Sequence, residues 1–84
     1  MIIDISEQVL SGNRVNVKKQ MISWLEENIG EYYGEVTEEH RGAYVGSGWE
    51  WGAKSEVVDD RYITTWFVDI ADERAATMFI LKFL

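Results

Sequence analysis

Glu50 and Asp69 are the two carboxylates of this 84-residue chain that strand pairing can set side by side. Neighbouring carboxylates shift each other's pKa and can hold a hard cation, which is the starting point for acid–base or metal chemistry. Nothing else in the sequence completes such a site. His40 is the single histidine and stands in "TEEHRG", where no nucleophile setting is recognisable, so it reads as a surface residue. Cysteine is absent, which removes thiolate nucleophiles, disulfides and thiolate metal sites. The Gly46-Ser47-Gly48 run lacks the lysine of a phosphate-cradling loop and no helix follows it, so a hairpin turn is the better reading. Asp59-Asp60 reads as a second turn. The expectation is a chain with no catalytic residues, no metal ligands and no cofactor, and not an enzyme.

What remains is charge. Fifteen acidic residues against eight basic ones give a net charge of −7. Nucleic-acid binding calls for a basic stripe that neutralises phosphates, so this balance argues against direct contact with nucleic acid or with an anionic membrane. A protein with a basic surface is the partner such a chain suits, because opposite potentials speed encounter. The acids cluster: six glutamates and no lysine or arginine lie from Glu26 to Glu39. The cluster is either a solvated helix end and loop, or a docking surface or a mimic of phosphate charge. On the second reading Glu27, Glu31, Glu35, Glu38 and Glu39 make the contact. Tyr32 and Tyr33 supply aromatic anchors unless they are only packed in a loop. Glu50, pointing outward with no structural duty, joins this set. The competing reading is a small ligand-binding domain or enzyme whose pocket is lined by Trp49, Trp51 and Trp66, and a virion assembly role is a third.

These residues need elements to position them. "MIIDI" reads as a short strand and "SEQVLSGN" as a turn or a single helical turn. Val17, Met21, Trp24, Leu25 and Ile29 recur at three and four, which predicts a helix over 16–29. Asn16 is its N-cap, with Asn13 in competition, and Gly30 its C-cap. "EYYGEVTEEH" reads as a loop leading into a strand, and β signal begins at Arg41. A two-residue turn at Gly46-Ser47 then sets Val45 opposite Gly48 and Tyr44 opposite Trp49. With Asp59-Asp60 as the next turn, Val58 faces Arg61 and the register runs to Trp49 opposite Ile70. That register collects Trp49, Trp51, Trp66, Val68 and Ile70 on one face, directed at the helices, and mixed or charged residues on the other. Its weak point is Glu50 opposite Asp69, where a bulge or splayed end is expected. Asp72 caps a last helix, and "FILKFL" fits either its continuation or a strand.

The order is β-α-β-β-β-α, or β-α-β-β-α-β if the end is extended. This is an α+β fold: a three-to-four-stranded antiparallel sheet with two helices on one face, ferredoxin-like or similar, over a single domain 1–84. Such a short chain buries a thin core, so association, including a homodimer, is expected to help, and an extended C-terminus would offer an edge strand for it. "MIIDISEQ" has no basic region followed by an apolar stretch, and no run approaches a membrane span, so the expected location is cytoplasmic.

Two resemblances bear on this. "TWFVDIADERAA" is similar to the third-strand and second-helix region of the RNA-recognition-motif family, through Phe67, Val68, Ile70, Asp72, Arg74 and Ala75. Thr64 and Thr65 stand where that family has a basic residue and a glycine. The resemblance implies a ferredoxin-like sheet, not RNA binding. The longer ending "WFVDIADERAATMFILKFL" resembles the ends of small accessory proteins encoded by tailed bacteriophages. That resemblance implies a protein of the bacterial cytoplasm that binds and disables a host protein, such as a restriction, BREX-type or CRISPR-type defence. It carries no residue over as functional.

Overall fold

A computed structural model describes residues 1–36 and 43–84. The chain runs β1 (Ile2–Asp4), α1 (Ser6–Ser11), α2 (Arg14–Asn28), β2 (Tyr32–Val36), β3 (Ala43–Gly46), β4 (Trp49–Val58), β5 (Arg61–Ile70) and α3 (Glu73–Phe83). The strands form one antiparallel sheet in the order β1-β5-β4-β3-β2. Strands β2 to β5 are a meander, and β1 closes it by pairing with β5. The α+β class holds, but the expected architecture does not: the described residues form five strands and three helices, and the order is not ferredoxin-like. Two segments account for the difference. "YYGEV" is a strand and not a loop, and "SEQVLS" is a helix of its own.

The β4–β5 ladder is the spine. Its ten pairs run from Val58–Arg61 to Trp49–Ile70, the register that alternation predicts. Asp59 and Asp60 form the turn at φ 50° and 64°. Two positive φ values are what a type I′ hairpin turn requires, and aspartate tolerates them less well than Asn-Gly. Replacing Asp59-Asp60 with Asn-Gly is therefore expected to stabilise the protein by roughly 0.5–1 kcal/mol. Thermal unfolding followed by circular dichroism should show a rise of a few degrees; a fall would mean the two aspartates hold the turn by some other contact.

One face of the sheet carries the core. Ile3, Trp49, Trp51, Val68 and Ile70 are buried against Ile5, Val9, Met21, Leu25, Ala76 and Phe79 from the helical side. Helix α2 starts three residues earlier than the Asn16 cap would set it. Asn13 Oδ1 accepts hydrogen bonds from the Val15 and Asn16 amides, so the competing asparagine is the cap. Gly30 is not the C-cap either: Ile29 fills that role in right-handed conformation. Glycine is needed at 30 because a Cβ there would overlap the Ser47 carbonyl oxygen. The β3–β4 turn is also displaced by one residue. Ser47 and Gly48 make it, with the positive φ of 81° on Gly48, and Gly46 pairs with Trp49. Tyr44 consequently lies opposite Trp51, on the face expected but one pair along.

Asp72 caps α3 by accepting from the Ala75 amide at 3.1 Å. Residues 79–83 are helical, which removes the C-terminal edge strand as a route to a dimer. No helix among the described residues is long and apolar enough to cross a membrane.

Candidate interaction surface

The acidic cluster begins where α2 stops being amphipathic. Leu25 is the last fully buried residue of the helix, so Glu26 and Glu27 beside it are directed outward and exposed. The chain then turns into β2, an edge of the sheet. The Glu31 carbonyl accepts from the Ser47 amide at 2.8 Å and fixes this entry. Tyr32 stacks on Trp49, with ring centroids 6.2 Å apart and planes 16° from parallel, and stands 6.3 Å from Tyr44. Only 37% of Tyr32 is exposed, whereas Tyr33 is 69% exposed. The register of β2 shifts between Tyr32 and Gly34, so Tyr33 is the extra residue of a bulge, and Gly34 has φ 140°. Bulges on edge strands re-aim a side chain and blunt further pairing.

Glu31, Tyr32 and Tyr33 therefore share one edge, with Glu27 in the last turn of the preceding helix. Glu35 lies on the same strand, opposite Tyr44. Glu38, Glu39 and His40 lie outside the described residues. Glu50 does not join this group. A single row crosses the sheet as Gly34, Val45, Glu50, Asp69 and Ile2, and it faces away from the helices, while Tyr32 leans on Trp49 on the helical side.

Glu50 and Asp69 are directly opposed, without the bulge expected between them. The Met1 ammonium offsets the repulsion on one side, at 3.4 Å from Asp69 Oδ1. It also donates to the Ile70 carbonyl at 2.7 Å. Glu50 Oε1 is buried and has no hydrogen-bond partner among the described residues. Nearer β1, the Ser6 amide and hydroxyl hold the Asp4 carboxyl below the usual carboxylate value. A depressed carboxyl favours the folded state above its unfolded pKa, and that contribution is lost as pH falls through the folded value. Among the described residues no three or more acidic or histidine side chains converge as metal ligands.

The tryptophans of the competing reading fill the core instead. Trp49 and Trp51 are 3% and 1% exposed. Their indole N–H groups are used internally, Trp49 donating to the Gly30 carbonyl at 2.8 Å and Trp51 to Met21 Sδ at 3.3 Å. Trp66 is half-buried, with the Arg14 guanidinium 5.6 Å from its ring centroid.

Sequence reasoning missed a cleft between α2 and α3, lined by Lys19, Ser23, Trp24, Lys82 and Phe83 among others. A signal was present: positions 19, 20, 23, 24 and 27 make a second stripe on α2 beside the core stripe. It became a site only when α3 packed alongside.

Comparison with known proteins finds no family model, no curated protein and no solved structure that matches this chain.

Proposed function

We propose that this chain is a small acidic interaction protein. It binds and inhibits a protein with a basic surface, through the edge formed by Glu27, Glu31, Tyr32 and Tyr33. Tyr33 carries the reading: an aromatic ring 69% exposed on an edge strand, beside Glu31. The ion pairs among the described residues are Met1–Asp69 and Lys54–Glu56, and neither involves Glu27 or Glu31. A rigid aromatic that spends little entropy on ordering, set among carboxylates, suits a surface rich in lysine or arginine. Tyr32 supports it from behind, stacked on the buried Trp49.

The bacteriophage resemblance gives this reading its setting: the bacterial cytoplasm, with a defence or nucleic-acid-handling protein of the host as the target. Glu35, Glu38 and Glu39 extend the acidic edge in sequence.

The test is affinity capture from bacterial lysate with the wild-type chain and with the triple variant Glu27→Lys, Glu31→Lys, Tyr33→Ala. The wild type is expected to retain a basic protein at low salt and to release it as salt rises. Loss of the tyrosine anchor alone should weaken binding about tenfold or more. Capture that is unaffected by salt and by the triple variant would place the contact elsewhere on the molecule.

A further inference from the structure

We infer that the cleft between α2 and α3 binds a small aromatic monoanion, of the aryl carboxylate type. The cleft has a volume of about 460 Å³, within the range of roughly 300–1,000 Å³ of small-molecule sites. Its floor is aromatic and fixed in place. The Trp24 ring meets Phe83 edge-on at 6.0 Å and Phe79 at 5.7 Å, and Phe79 lies 4.8 Å from Phe83. Phe79 is fully buried in the core, while Trp24 and Phe83 are half-buried and line the cleft. A planar ring laid on this floor gains contact area without any rearrangement.

Charge selects the other half of the ligand. Lys19 from α2 and Lys82 from α3 both line the cleft, and neither forms an ion pair among the described residues. In a chain with net charge −7, two ammonium groups at one aromatic cleft, neither held in an ion pair among the described residues, leave a place for an anion from outside. The Ser23 hydroxyl and the Gln20 amide add neutral donors. Glu27 is the one acid lining the cleft among the described residues. Two lysines against one glutamate leave a local charge of +1 (2 − 1), which matches a ligand with one negative group and disfavours a dianion. This site does not depend on the edge of β2 binding a partner.

The probe is 2-naphthoate, titrated into the 15N-labelled protein and followed by amide chemical shifts and by calorimetry. Saturable shifts centred on residues 19–27 and 82–83 are expected, with 2-naphthamide, the neutral isostere, binding about tenfold or more weakly. Lys19→Glu and Lys82→Glu each remove an exposed cation, and each is expected to weaken 2-naphthoate by about tenfold or more. Unchanged spectra elsewhere would show that the fold is kept. Glu27→Gln should tighten binding. The inference is overturned by shifts that do not saturate, by shifts scattered outside the cleft, by equal affinity for the amide, or by indifference to either lysine reversal.

Discussion

Trp51→Ala is expected to leave a large fraction of the protein unfolded near physiological temperature. Trp51 leads the fully buried side chains by volume, at 1% exposure, in the middle of β4. It sits opposite Val68, with the Tyr44 ring at 6.0 Å, the Trp66 ring at 5.5 Å and Met21 Sδ at 3.3 Å from its indole nitrogen. One side chain thus joins three strands to α2. Truncating such a residue costs about 3–5 kcal/mol, because transfer energy is lost and a cavity remains. A chain of this size has only about 4–13 kcal/mol of total stability. At roughly 4–8 °C per kcal/mol, even the lower figure moves the midpoint by about 12–24 °C. Thermal and urea unfolding measured by circular dichroism check this. Trp66→Ala is the internal comparison, since Trp66 is only half-buried and should lose much less. Similar shifts for the two variants, or a loss of only a few degrees for Trp51→Ala, would contradict a core centred on Trp51.

The comparison between β4–β5 and β2 shows which features a single sequence discloses. Ten residues of alternation on each side of an Asp-Asp turn admit one register, because a slip of one residue would drive Glu50 and Lys54 into the core and Trp51 out of it. Strand β2 has no such internal signal. "YYGEV" becomes a strand because β3 is there to pair with it, and the bulge at Tyr33 hides its alternation. The helix cap was undecidable for a related reason: Asn13 and Asn16 are three apart, and only the bonds accepted by Asn13 separate them. Strand order is less local still. The pairing of β1 with β5 joins residues more than 60 positions apart, and no short motif announces it. The candidate surface divides in the same way. Composition pointed to Glu31, Tyr32 and Tyr33, which do meet at one edge. The register already turned Glu50 to the face away from the helices, but only the contact of Tyr32 with Trp49 puts Tyr32 on the opposite side, and the α2–α3 cleft exists only through packing of two distant segments.

Gly46→Ala is expected to destabilise the protein heavily for a single added methyl. A Cβ at 46 would fall inside the Trp49 indole, against Cε2 and Nε1. The ring cannot swing aside without loss. Its N–H donates to the Gly30 carbonyl, its face is stacked by Tyr32, and it is 3% exposed. The Gly30 backbone is in turn held close against Ser47, where it too has no room for a Cβ. Overpacking typically costs about 1–3 kcal/mol, and the displaced indole forfeits its hydrogen bond, worth about 1 kcal/mol. The expected loss is therefore roughly 2–4 kcal/mol, or about 8 °C or more in midpoint. Gly48→Ala provides the scale, because it meets only ordinary contact at 3.4 Å and suffers only from its φ of 81°, at about 1 kcal/mol. A double-mutant cycle isolates the cause. In a Trp49→Val background the overlapped indole atoms Cε2, Nε1 and Cζ2 are all gone, so Gly46→Ala should lose at least half of its effect; additive losses would show that the clash with Trp49 is not what matters. The same displacement removes the support behind Tyr32, so on the proposed function Gly46→Ala protein that still folds should also capture a basic protein less well. That links the last residue of β3 to the aromatic edge that the proposed function uses.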